Sequence, residues 1–136
     1  MPYIDSNVFI YPAIYQTETQ RKAKKAKEIL LKIESGELSA YTSTLTWDEV
    51  VWVVSRVLGR DDGISQGRKL LGFPNLEFIN VDEGILTQAQ MLIDKYKLRP
   101  RDSIHVASAL RRKIKVVISD DEDFDQVKEI TRTPLV

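Results

Sequence analysis

Cysteine is absent from this 136-residue chain, and histidine occurs once, at His105. The first absence excludes disulfides, thiolate metal sites, iron–sulfur clusters and a cysteine nucleophile. The second excludes a zinc site built from several histidines of one chain. No uncharged apolar run approaches the ~18 residues of a membrane span. The opening Met1-Pro2-Tyr3-Ile4-Asp5 lacks the basic and apolar segments of a secretory leader, so a cytoplasmic chain without membrane contact is expected. Net charge is lacking as well. Twenty Lys and Arg balance twenty Asp and Glu, and the molecule as a whole carries no basic footprint for nucleic acid. With no repeat, low-complexity tract or Pro/Gly-rich linker, residues 1–136 are expected to form one domain.

What remains for chemistry is carboxylates, hydroxyls, amides and bases. The 43% hydrophobic and 29% charged fractions are those of an ordinary globular protein. A chain of this length can remove roughly two-thirds of its unfolded surface from water, enough for a core without staples. Its charge is segregated. Arg21, Lys22, Lys24, Lys25, Lys27 and Lys32 face only Glu28 within one stretch, and Arg99, Arg101, Arg111, Arg112, Lys113 and Lys115 form a second basic group. Against them stands the acidic run Asp120, Asp121, Glu122, Asp123, Asp125. The pattern describes a bipolar surface, with a basic rim and an acidic focus. Each group taken singly also reads as a solvated helix face.

Hydrophobic periodicity lays out the elements. Met1–Ile4 reads as a strand, and Val8–Tyr15 as a short helix interrupted by Pro12. Thr17–Ser35 reads as a helix, with a capping box at Thr17 and Gln20 and a stop at Gly36. Leu38–Thr42 reads as a strand. Trp47, Val50, Val51, Val54, Val57 and Leu58 form a helical stripe closed by Gly59. Ile64–Leu71 is a short helix weakened by Gly67; Leu76–Val81 is a strand, and Asp82 caps the helix after it. A further helix follows Pro100, then a strand over Lys113–Ile118 and a last short strand near Thr133–Val136. The run Val116-Val117-Ile118 is that of a sheet covered on both faces. Strands alternating with helices predict an α/β fold, a parallel sheet with helices on both sides.

In such a sheet, ligands bind beyond the carboxyl ends of the strands. Asp5 follows the first strand, Asp120 and Asp121 follow the Val116–Ile118 strand, Glu49 lies early in a helix, and Asp102 opens another. An all-oxygen set of this kind suits Mg²⁺ or Mn²⁺, which accept phosphate oxygens and keep several waters. Such an ion can activate water and stabilise charge developing at phosphorus. Each acid also has a local explanation. Asp5 suits a turn, Asp102 an N-cap, and Thr46-Trp47-Asp48-Glu49 is itself a capping-box pattern. Four acids converging on one edge is what argues for a site.

Four segments carry a family resemblance. Tyr3-Ile4-Asp5-Ser6-Asn7, Ser43-Thr44-Leu45-Thr46-Trp47-Asp48-Glu49, Arg101-Asp102-Ser103-Ile104-His105 and Val117-Ile118-Ser119-Asp120-Asp121-Glu122-Asp123-Phe124 resemble, in order, the motifs of PIN-domain ribonucleases. The resemblance covers essentially the whole chain. It implies a single PIN-like domain with a twisted, mostly parallel sheet of about five strands. It also implies Mg²⁺- or Mn²⁺-dependent endonucleolytic cleavage of RNA and frequent homodimerisation. Asp5, Glu49, Asp102 and Asp121 match the metal-binding and catalytic acids, and Asp123 a further metal-binding aspartate. The register among Asp120, Asp121 and Asp123 stays open. Ser119 and Asn7 match polar positions that orient the carboxylates. His105 is read as packing or as an orienting residue outside the ligand set. Small members of this length are often VapC-type toxins, whose antitoxin inserts a segment into the acidic groove.

From the charge pattern, Arg99, Arg101, Lys22, Lys24 and Lys25 are candidates for contacting RNA phosphates; as exposed loop and helix charges, they have an equally simple explanation. The alternatives carried forward are a non-toxin PIN nuclease of RNA processing or quality control and a non-catalytic PIN-like interaction module. A receiver domain would need an acidic pair after the first strand, and an Asp-x-Asp phosphatase an aspartate where Asn7 stands.

Overall fold

A computed structural model describes all 136 residues. The chain runs β1 (Tyr3–Ile4), α1 (Ser6–Ile14), α2 (Arg21–Glu34), β2 (Ala40–Ser43), α3 (Thr44–Leu58), α4 (Arg60–Leu71), β3 (Leu76–Ile79), α5 (Glu83–Tyr96), α6 (Pro100–Arg111), β4 (Val116–Ile118) and β5 (Thr131–Thr133), with a short 3₁₀ turn at Glu122–Gln126. The strands form one sheet in the order β3-β2-β1-β4-β5, and every neighbouring pair is parallel. The chain therefore builds outward from β1 to β3, then returns across the sheet to start β4 on the other side of β1. At that switch the connections leaving β1 and β4 diverge, which opens a crevice at the carboxyl edge.

Alternation of side chains across each strand feeds two cores. Tyr3, Ile79 and Val117 point to one face, where α5 and α6 cover them with Ile85, Ala89, Leu92, Val106 and Ala107. Ile4, Ala40 and Ile118 point to the other, against Val8, Ala26, Ile29, Ile33, Val50 and Val54 of α1 to α3. Both faces are thus covered, as the β-branched run of β4 implies; only Val116, at the strand's start, remains exposed.

Local rules misplace several boundaries. The capping box expected at Thr17 and Gln20 does not form: the amides of Thr19 and Gln20 both turn back onto the carbonyl of Gln16, and Gln20 flanks α2 without a side-chain cap. Helix α1 starts at Ser6, capped by Asp5, and runs through Pro12. Strand β5 lies two residues earlier than expected, because Thr131 to Thr133 pair with β4 while Leu135 is buried in the core.

Helix α3, which carries Glu49, is braced along its length by α4. The two meet at Gly59, whose φ of 105° is open to glycine and strained for other residues. Gly63 and Gly67 then let α4 approach closely. A Cβ at Gly63 would lie 1.8 Å from Ser55 Oγ and 2.9 Å from the Ser55 backbone nitrogen; one at Gly67 would lie 2.6 Å from Val51 Cγ2. The hydroxyl of Ser55 can rotate away, but its backbone cannot. Gly63→Ala is therefore expected to lose about 1–3 kcal/mol through overpacking, more than offsetting the ~1 kcal/mol that alanine contributes to an open helix. Urea denaturation checks this, and a variant as stable as the parent would contradict the close packing.

Candidate active site

Asp5 leaves β1 at the crevice. Its Oδ1 accepts the amide of Ser6 at 2.7 Å, which caps α1, and its Oδ2 accepts the hydroxyl of Ser119 at 2.6 Å. Ser119 leaves β4 on the far side of the switch. Its oxygen also accepts the Asp121 amide at 2.9 Å and Asn7 Nδ2 at 3.3 Å, so its one proton and both lone pairs are engaged. Asn7 Nδ2 reaches Asp5 Oδ2 at 3.3 Å as well, and its Oδ1 accepts the Asp120 amide at 3.4 Å. Asn7 and Ser119 thus knit the two diverging strand ends around the Asp5 carboxylate.

Glu49 reaches the same point from α3. The reading of Glu49 as a capping-box partner of Thr46 is ruled out, because α3 begins at Thr44 and Thr46 lies inside it. The Thr46 hydroxyl instead meets that of Thr42 at 2.6 Å, and Thr42 donates to the carbonyl of Ile4 at 2.8 Å. This chain fixes the first turn of α3 against β1 and β2. The Glu49 carboxylate goes to His105 Nε2 at 2.5 Å, and the same nitrogen lies 3.4 Å from Asp5 Oδ1. His105 Nδ1 meets the buried hydroxyl of Tyr3 at 2.5 Å. His105, expected from its sequence position to pack or orient outside the ligand set, lies between two carboxylates, its ring fixed from behind by Tyr3 of β1. Its role as a holder of Glu49 had no local signal, since the two residues are 56 positions apart.

Asp102 enters from the first turn of α6, behind Pro100. One oxygen each from Asp102, Asp121 and Asp123 falls within a mutual 4.8 Å, as do single donor atoms of Asp5, Glu49 and His105. Asp121 also caps the 3₁₀ turn by accepting the Asp123 amide at 2.9 Å. Asp120 turns away: it accepts the Tyr11 hydroxyl at 2.7 Å and pairs with Lys22 Nζ at 2.9 Å. Of the three acids among which the sequence leaves the register open, Asp121 and Asp123 lie beside Asp102. Arg132 of β5 holds this acidic loop from below, bidentate on Asp125 at 2.8 and 3.0 Å and donating to the Ser119 carbonyl at 3.1 Å.

An open cleft of about 770 Å³ contains Asn7, Lys22, Arg99, Asp121 and Asp123. Of the proposed phosphate contacts, then, Lys22 and Arg99 share the cleft with Asp121 and Asp123, whereas Asp5, Glu49 and Asp102 do not line it. Arg101, Lys24 and Lys25 are exposed and line no part of it. A separate, more apolar groove of about 410 Å³ between α1, α2 and α4 contains none of the site acids.

Burial raises the pKa of Asp5, against the lowering pull of His105 and Ser119, and the nearby Glu49 raises it further. Burial, then the charges of Asp121 and Asp5, raise Asp102 to about 7. For His105, burial favours the neutral ring, but Tyr3, Asp5 and Glu49 outweigh it and hold the pKa well above 6.5. The decisive feature is Asp102 Oδ2, which is buried without any hydrogen-bond partner. A buried carboxylate oxygen with no donor, on a residue clustered with two further carboxylates, fits a cation. The donor set, oxygen only apart from His105, fits a hard one.

The titration of Asp102 sets a direction. Folded, it keeps its proton to about pH 7; unfolded, it releases it near 3.8. Between these values the folded state binds more protons, so the stability of the metal-free protein falls as pH rises through that window. Asp5 acts in the same sense. Asp102→Asn, which mimics the protonated acid, should match the parent near the lower limit and melt progressively higher than it toward neutrality. Melting curves in chelator check this; a difference between the two that does not grow with pH would contradict it.

The chain matches the PIN domain family model over residues 3–130. No curated protein matches its sequence. Solved structures of other proteins share the fold. VapC20 of Mycobacterium tuberculosis, described as a toxin cleaving the sarcin–ricin loop, superposes with a TM-score of 0.76 at 14% identity, over 94% of this chain and 95% of that one. The DNA-bound VapBC of Salmonella typhimurium gives a TM-score of 0.72 at 15% identity, over 100% of both chains. A toxin–antitoxin complex from Klebsiella pneumoniae gives 0.66 at 21% identity, over 96% of each. The family match extends from β1 to the residue before β5 and takes in every acid of the site; the chain belongs to the PIN-domain family.

Proposed function

We propose that this protein is a Mg²⁺- or Mn²⁺-dependent endoribonuclease, the toxin of a toxin–antitoxin pair, acting in the cytoplasm as a homodimer. The observation that carries the nuclease reading is the unpartnered Asp102 oxygen among converging carboxylates. Membership of the PIN family supports it. The toxin reading is supported by solved structures of the same fold that are described as toxins or toxin–antitoxin complexes. No helix is long and apolar enough to cross a membrane. The exposed apolar side chains of Trp52, Val57 and Leu58 on α3 are what a second copy would cover.

In this reading Asp5, Glu49, Asp102, Asp121 and Asp123 hold the ion. When bound, a divalent cation there supplies the charge that activates water and offsets the negative charge developing at phosphorus. The remaining work belongs to the chain. Ser119 and Asn7 keep Asp5 aimed out of the sheet. His105, fixed by Tyr3, holds Glu49 and offsets part of the carboxylate repulsion. Arg99 and Lys22 line the cleft with Asp121 and Asp123 and draw the phosphate backbone toward a surface that would otherwise repel it.

Cleavage of mixed RNA by metal-stripped protein tests this. Activity is expected to return with Mn²⁺ and to stop in excess chelator; cleavage that persists in chelator removes the mechanism. Glu49→Gln is expected to stay folded and lose at least about tenfold in activity, because glutamine preserves shape but supplies no charge. Full activity in that variant would take Glu49 out of the site. Metal that binds only the folded state should also raise its stability, by roughly 2.7 kcal/mol at a hundredfold excess over Kd. A melt that millimolar Mn²⁺ moves no further than monovalent salt of equal ionic strength would contradict this.

A further inference from the structure

Asp120, like Glu122, lies at the Ser119–Asp123 corner and joins neither carboxylate cluster. It is not idle. Its Oδ2 accepts the Tyr11 hydroxyl at 2.7 Å, and both its oxygens face Lys22 Nζ, at 2.9 and 3.2 Å. Its own backbone amide is held by Asn7 Oδ1, so the residue is fixed at both ends. The Asp120 side chain is 18% exposed and that of Lys22 is 50% exposed. The ammonium therefore lies on the wall of the acidic cleft with one of its three protons left for a ligand. Lys24 and Lys25, its neighbours on α2, have no such tie and lie outside the cleft.

We propose that Tyr11 and Asp120 are positioning residues that aim Lys22 as a phosphate anchor for a single-stranded RNA beside the metal site. The inference rests on the nuclease reading and adds to it a specific subsite. A free lysine on a helix surface samples many rotamers and contributes little to a defined contact. Paired on the two oxygens of a carboxylate that Tyr11 holds at Oδ2, on a residue whose backbone amide Asn7 holds, it has lost that freedom before substrate arrives. Arg99 lines the same cleft as Asp121 and Asp123 and has no ion pair. A strand held by both Lys22 and Arg99 lies in the cleft that Asp121 and Asp123 line.

The test has a turnover arm and a binding arm. Lys22→Met should raise KM for a short single-stranded RNA by about five- to tenfold, with a much smaller change in kcat. Lys22→Arg should restore most of the loss. Asp120→Asn should raise KM in the same way, and adding it to Lys22→Met should raise KM no further, because it acts through the lysine. For binding, a fluorescein-labelled single-stranded RNA of random sequence is titrated in Ca²⁺ and checked on a gel for integrity. Lys22→Met should lower the magnitude of the salt slope by about 0.7. An unchanged KM and salt slope in Lys22→Met overturns the anchor. A KM that falls in Asp120→Asn, or effects that add in the double variant, overturns the positioning role. If the parent binds RNA with a slope that Lys22→Met reduces yet cuts nothing, the subsite stands and the nuclease reading fails.

Discussion

Burying a carboxylate away from water is costly unless hydrogen bonds and opposite charge replace its hydration, and Asp5 is buried at the centre of this fold. Its partners come from α1, α6 and the residue that follows β4. The Ser6 amide begins α1, Ser119 follows β4, Asn7 lies in the first turn of α1, and His105 comes from α6. Holding Asp5 therefore fixes where β1, β4, α1 and α6 meet. The strand order makes this convergence possible, because only at the switch beside β1 do two neighbouring strands send their continuing chains in opposite directions. His105 then passes the constraint outward: one nitrogen serves the two carboxylates, the other rests on Tyr3, and Glu49 is drawn in from α3.

The Asp102 side of the site follows a different logic. Asp5 is heavily hydrogen-bonded, whereas Asp102, Asp121 and Asp123 converge with few donors among them. Their mutual repulsion is left for something outside the chain to relieve. The acids of the first group are held in place, and those of the second are left short of positive charge. That asymmetry is what a cation site needs: rigid support on one side and unmet charge on the other.

Much of this was legible in the sequence because it depends on short-range patterns. The apolar periodicities gave the helices and strands in order, and Asp82 acts as the cap for α5 that its position implies. The acids could be placed at strand ends and helix starts for the same reason. What could not be read depends on long-range contact. Thr46 to Glu49 satisfies a capping rule, yet the Thr42 hydroxyl, tied to Ile4, sets the start of α3 instead. Asp120, Asp121 and Asp123 are equivalent in sequence; only the turn after β4 sends one toward Lys22 and two toward Asp102. The lysines of α2 look alike as well, and the phase of the helix selects Lys22. Gly67, read as weakening its helix, is among the residues that allow α4 to brace α3.

The central claim is that these carboxylates form a specific divalent-cation site and not merely an acidic surface. Calorimetric titration of Mn²⁺ into the metal-stripped protein tests it most directly, with Asp102→Asn compared against Glu122→Gln. Both variants remove one formal charge, but Glu122 belongs to neither carboxylate cluster. The account predicts saturable binding by the parent, at least about tenfold weaker binding by Asp102→Asn, and binding by Glu122→Gln close to that of the parent. Equal weakening by the two substitutions, or no saturable binding by the parent, would contradict it.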